Sequence, residues 1–92
     1  MNKLTDDITR VEFRKSRNPY TKEMEVVAIF VDENWDTDGK EFACYMHYGQ
    51  HSGCEKAWAK HLRFATVEEY TPLKQELERC FDYRFEVLNK AA

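Results

Sequence analysis

Three side chains able to bind a metal ion or attack a substrate crowd into one stretch of this chain. YMHYGQHSGC at 45 to 54 carries His47, His51 and Cys54, and His61 follows it. Imidazole and thiolate suit zinc or a similar transition ion. The spacing is H-x3-H-x2-C-x6-H. On a helix, residues four apart share a face, which is why His-x3-His chelates. Gly49 breaks any helix here, so His47 and His51 must meet across a turn. His47, His51 and Cys54 are the candidate metal set, with zinc or a similar ion as the candidate cofactor. The plainer alternative is that each imidazole spends its one donor and one acceptor on the fold.

The same stretch can be tested for a nucleophile. A helix beginning at Ser52 puts Cys54 in its first turn, where free N–H groups and the helix dipole lower a thiol's pKa. His51 or His61 can then serve as base. No third residue orients that base, and free cysteines mostly face a core. No catalytic residue is assigned, and the chain reads as non-catalytic. The candidate functional cluster is Tyr45, His47, Gln50, His51, Cys54 and His61.

Two further clusters carry charge. Arg14, Lys15 and Arg17, with Tyr20 beside them, offer cations for phosphates and a ring for a base. Glu12 and Glu23 dilute the patch, and a net charge of −3 argues against nucleic acid as partner. Charges on an outer strand also serve to resist edge-to-edge pairing. Asn34, Asp36, Asp38 and Gly39 fall at the first, third, fifth and sixth positions of a calcium loop. Tyr45 stands where the bidentate glutamate belongs, so a solvated loop is the better reading.

These residues must be placed by elements that the pattern predicts. Val11 and Phe13 alternate with Glu12 and Arg14, a half-buried strand over 10 to 15. Asn18-Pro19 suits a turn. In the strand over 23 to 31, Met24, Val26, Ala28 and Phe30 form one face, and Val27, Ile29 and Val31 the other. Both faces are apolar, so this strand is central and covered on both sides. Asp38-Gly39 marks the next turn. The strand over 41 to 48 sets Phe42, Cys44, Met46 and Tyr48 opposite Ala43, Tyr45 and His47. Ser52-x-x-Glu55 matches a capping box and predicts a short helix over 53 to 62. Thr66-x-x-Glu69 matches another, opening a helix striped by Val67, Tyr70, Leu73 and Leu77. Pro72 predicts a kink there, or a restart capped by Thr71. Tyr83, Phe85 and Val87 alternate in a last strand over 82 to 88.

The order is β-β-β-(α)-α-β. That is an α+β fold: an antiparallel sheet of about four strands with helices mainly on one face. Ninety-two residues form a single domain, 1–92, with an ordered core over about 10 to 88. The second face of the central strand needs cover from the 49-to-65 segment or from a second copy in a symmetric dimer. Cys44, Cys54 and Cys80 form no C-x-x-C pair, which fits free thiols. The first residues carry no apolar core of a signal peptide, and the longest apolar run, Val26 to Val31, is far short of a membrane span. A cytoplasmic location is expected, with no membrane.

Three stretches together resemble a family of small bacterial and phage-associated proteins of uncharacterised activity. They are VVAIFVDE at 26 to 33, CYMHYGQHS at 44 to 52, with its Tyr-x-His-x-Gly-Gln-His motif, and ATVEEYTPLKQELER at 65 to 79. The resemblance implies a shared fold, points to phage or mobile-element biology, and carries no mechanism. The expectation is a small binding or regulatory module acting through a protein partner or as a homodimer.

Overall fold

The computed structural model describes residues 8–18, 20–46 and 50–88. His47, Pro19, and the predicted strand end at Tyr48 and Gly49, lie outside them. Strand β1 (Thr9–Arg17) pairs antiparallel with β2 (Met24–Asn34), β2 with β3 (Glu41–Met46), and β3 with β4 (Gln50–Glu55). A short helix α1 (Lys56–Ala59) leads into β5 (Arg63–Phe64). Helix α2 (Val67–Phe81) and β6 (Phe85–Val87) complete the chain. The sheet order is β4-β3-β2-β1-β5, with β6 also on β1.

The fold is α+β, built on a sheet of six strands rather than about four. It is not wholly antiparallel. β6 runs parallel to β1, with Thr9 opposite Phe85 and Val11 opposite Val87. A strand that follows a helix across the sheet returns in the direction of the strand it joins, and no local pattern encodes that. β5 takes Arg14 and Lys15, while β6 takes Thr9 to Val11, so the outer edge of β1 is shared between two short strands.

The core has two sides, as the two apolar faces of β2 require. On one, Val11, Phe13, Ala28, Phe30, Ala43 and Tyr45 pack against Tyr70, Leu73 and Leu77 of α2. On the other, Val27, Ile29, Cys44 and Cys54 pack with Ala59, and Leu62 lies against them. The helices therefore stand on opposite faces, α2 on the first and α1 on the second. The 56-to-64 segment supplies the cover that the second face needed. Each fully buried Phe or Ile contributes roughly 1.5–3 kcal/mol by leaving water.

Local chemistry fixes the ends of these elements. Asn18 Oδ1 accepts from the amides of Tyr20 (2.8 Å) and Thr21 (3.1 Å), closing the β1–β2 turn. Asp36 Oδ1 accepts from Lys40 and Glu41, and Gly39, at φ +74, allows the β2–β3 turn a left-handed residue. Thr66 and Glu69 form the expected capping box, the Thr66 side chain accepting from Glu69 N–H and the Glu69 side chain from Thr66 N–H. Pro72 neither kinks nor restarts α2, which runs through it. Pro72 and Glu68 are exposed, so the Glu68 carbonyl left without its amide faces water. Thr71 Oγ1 donates to the Val67 carbonyl (2.6 Å) instead of capping a new helix.

Candidate functional site at strand β4

The stretch expected to open a helix at Ser52 is a strand instead. Ser52 faces Cys44 across the β3–β4 ladder and Gly53 faces Ala43. Helix α1 begins only at Lys56, and its N-cap Glu55 makes no side-chain capping bond. The capping-box match at Ser52 and Glu55 is accidental. The cross-strand ladder with β3 takes the Ser52 backbone, and the Glu55 N–H faces away from β3 instead of towards a cap.

Strand periodicity separates the candidate cluster. His51 lies on the α2 face and Cys54 on the opposite one. Successive strand residues alternate faces, so His51 and Cys54 cannot close on one ion from β4. His61 is exposed after α1, and His47, the third member of the metal set, lies outside the described residues. Among the described residues no group of three His, Cys, Asp or Glu gathers as a metal site would need. Gln50 opens β4 opposite Met46.

His51 sits in an aromatic box. Its ring centroid is 5.0 Å from Tyr45, 5.2 Å from Phe81, 5.7 Å from Phe30 and 6.1 Å from Tyr83. Its Nε2 shares a 2.9 Å hydrogen bond with the Tyr83 hydroxyl. Burial, and after it the Glu33 carboxylate, pushes the Tyr83 phenol above its ordinary range. Beneath the box, Tyr45 donates to Glu76 of α2 at 2.5 Å. Burial first and that carboxylate second push Tyr45 up to about 12. Phe81, at the end of α2, closes the box yet stays 44% exposed.

Beside this box lies Gly53. A Cβ there would meet the Trp35 ring, 2.6 Å from Cγ, and the Glu41 carboxylate. The indole lies over a backbone that only glycine can present, while remaining 52% exposed. The register of β2 jumps between Phe30 and Asn34, and Trp35 N–H donates to the Glu41 carbonyl (2.9 Å), which hold the indole at the β3–β4 corner.

On the opposite face, Cys44 Sγ lies 3.5 Å from Ser52 Oγ. The neighbouring Cys54 thiol holds Cys44 below the ordinary thiol range, opposed by burial and helped by Ser52. The Cys44 thiol, and after it burial, pushes Cys54 up. Both are buried and free.

The backbone of β4 is the other feature of the site. Lys56 N–H donates to the Lys40 carbonyl at 3.0 Å, which fixes the phase of the ladder. Phe42 with Cys54 and Cys44 with Ser52 are then the hydrogen-bonded pairs. The N–H and C=O groups of His51 and Gly53 and the Glu55 N–H point away from β3, while the Glu55 C=O serves the first turn of α1. β4 ends the sheet order, so these outward groups form its open edge.

The other sequence candidates are engaged within the fold. Arg14 is 11% exposed in its side chain. It donates to Glu12 (2.8 Å) and the Leu62 carbonyl (2.6 Å), and its guanidinium lies 4.1 Å from the Phe64 ring centroid. Lys15 bonds Glu69 at 2.6 Å, and Arg17 donates to the Lys22 carbonyl at 2.8 Å. Tyr20 alone of that set stands free, at 92% exposure. β1 is not an outer strand, so its cations are spent on packing. Asp36 of the acidic loop serves the turn.

Residue types and spacing pointed to Tyr45 and His51 but missed Phe30, Trp35, Phe81 and Tyr83. Their only signal was the number of aromatics, since the contacts join four separate elements. Among the described residues no helix is long and apolar enough to cross a membrane. No protein family, curated protein or solved structure matches this chain. The likeness to a phage-associated family stands on its three stretches alone.

Proposed function

We propose that this chain is a small non-catalytic binding or regulatory module that acts through protein contacts, and that β4 makes the contact. One observation carries the reading. The open backbone edge of His51, Gly53 and the Glu55 N–H coincides with the half-exposed rings of Trp35 and Phe81 beside the partly buried His51. An extended segment added to β4 gains main-chain hydrogen bonds from the edge and side-chain contact from the rings beside it, the two components of strand addition. Edges are commonly blunted by Lys, Pro, bulges or very short strands. β4 carries none of these over Gln50–Glu55, whereas β5 and β6 are short. Free cysteines suit the reducing cytoplasm.

Selection from a random peptide display library tests this. Enriched peptides should be rich in β-branched and aromatic residues, and should protect the amides of His51, Gly53 and Glu55 from exchange. Enriched peptides that leave those three amides unprotected would place the contact elsewhere. An empty selection would remove the reading.

A further inference from the structure

We infer that the strand that β4 accepts is β4 of a second copy, giving a two-fold dimer with one continuous sheet centred on Gly53. This rests on the reading of β4 as the contact edge and names its partner.

The register follows from the free groups. A two-fold axis perpendicular to the sheet keeps each face on its own side, so a residue pairs with one of the same face. Three registers use the outward groups of residues 51, 53 and 55. With Ser52 on the axis, His51 pairs with Gly53 twice, and Glu55 finds no outward-facing partner in the strand. With Cys54 on the axis, Gly53 pairs with Glu55 twice, and His51 is left over. With Gly53 on the axis, Gly53 meets Gly53, and each His51 meets Glu55 of the second copy. Only that register engages all three residues of the open edge, Glu55 through its N–H.

Side chains select the same register. It sets an imidazole opposite a carboxylate at both ends of the new ladder, a ring nitrogen facing an acceptor across the strands. His51 Nε2 is taken by Tyr83, and Nδ1 is the ring nitrogen with no partner among the described residues. Glu55 is exposed, and its carboxylate likewise has no partner among the described residues. At the centre, two glycines bring the backbones together, and the two Trp35 indoles lie side by side on the α2 face. Half-exposed indoles flanking an axis are what a self-complementary contact covers.

Glu55 also supplies a clean perturbation. Its φ is −62, the value proline adopts, and its amide points to the open edge rather than to β3. Glu55→Pro removes one ladder donor and the charge while leaving the β3–β4 pairing intact. Sedimentation velocity from about 1 µM to about 1 mM, which reads dissociation constants across that span, with amide exchange by NMR at both ends, reads the outcome. The wild type should become dimeric with rising concentration. The amides of His51, Gly53 and Glu55 should then slow at least about tenfold, while those of Ser52 and Cys54 stay as they were. Glu55→Pro should remain monomeric with an unchanged circular dichroism spectrum. The exchange pattern of the wild type decides the matter even where the variant fails to fold. Dimerisation that leaves the three amides fast overturns the register. A monomer that still binds selected strand peptides at β4 overturns the dimer and spares the edge reading. A monomer that binds none ends both.

Discussion

Gly53→Ala is expected to destabilise the protein, and the reason can be inverted by a second substitution. The added Cβ enters the space of the Trp35 ring, at 2.6 Å from Cγ. The nearby Glu41 carboxylate ends a flexible side chain and can swing aside; the indole cannot do so without leaving the sheet. Trp35 is 52% exposed, so about half its surface is covered. With ~250 Å² for a tryptophan and ~25 cal/mol per Å², full eviction costs about 3 kcal/mol. Partial tilting costs less. Against this, alanine orders at a smaller entropic cost than glycine, a gain of roughly 0.5–1 kcal/mol. Gly53 has no positive φ to forbid the change. The net expectation is a loss of about 2 kcal/mol for full eviction less the entropic gain, and less than that where the ring only tilts.

Removing the ring removes the obstacle. In a Trp35→Ala background, Gly53→Ala should stabilise by about 0.5 kcal/mol, since only the entropic gain survives. Urea denaturation of the four proteins, at one low protein concentration, yields the coupling from a double-mutant cycle. A Gly53→Ala protein as stable as wild type, or an equal loss in both backgrounds, would refute the placement of the indole over Gly53.

Three further outcomes follow from contacts elsewhere. Tyr45→Phe should cost about 1–2 kcal/mol at neutral pH by deleting the bond to Glu76. Tyr45's folded pKa is raised from 10.0 to about 12, so its contribution is complete below pH 10 and lost as pH rises towards 12. The wild type should therefore lose stability across that window faster than Tyr45→Phe, and parallel urea midpoints would contradict it. Glu69 is held down to about 2, first by Lys15 and then by the Thr66 amide, so its contribution is complete above 4.5 and disappears as pH falls to 2. Glu69→Gln should flatten that acid limb, and Thr66→Ala should cost about 1 kcal/mol in thermal melts at pH 7. Arg14→Lys should cost about 1–2 kcal/mol, because an ammonium cannot span Glu12, the Leu62 carbonyl and the Phe64 ring together. An unchanged melting temperature would show that the guanidinium is dispensable.

Much of the frame was legible from residue periodicity. The two faces of β2 and the alternation in β3 appear as the pattern predicted, because strand faces follow from a local two-residue period. Thr66 and Glu69 cap α2 as their spacing required. Ser52 and Glu55 matched the same signature and do not cap a helix. Their difference lies in tertiary pairing: Cys44 and Ala43 offer Ser52 and Gly53 a ladder, and Trp35 needs a glycine beneath it. Arg14 read as a surface cation because the alternation in β1 shows polar residues on that side. The segment that buries it, Leu62 to Phe64, is almost fifty residues away in sequence, beyond any local signal. The parallel return of β6 to β1 is equally non-local.

The same non-locality explains why an open backbone edge and half-exposed rings meet at β4. α2 places its three buried anchors, Tyr70, Leu73 and Leu77, over β1 to β3. Its last residue, Phe81, reaches His51 but leaves the corner at Gly53 to Trp35 alone. At the far side of the sheet, β5 and β6 divide and close the edge of β1. The helix thus stops short of the very strand whose backbone edge is open. A fold that needed only stability could close that corner with one larger residue at 53 and a cation on the edge, as outer strands commonly do. Glycine under an indole does neither: it keeps the backbone approachable and the ring available. Those are the two properties a strand-on-strand contact requires, and on this chain they occur together at β4.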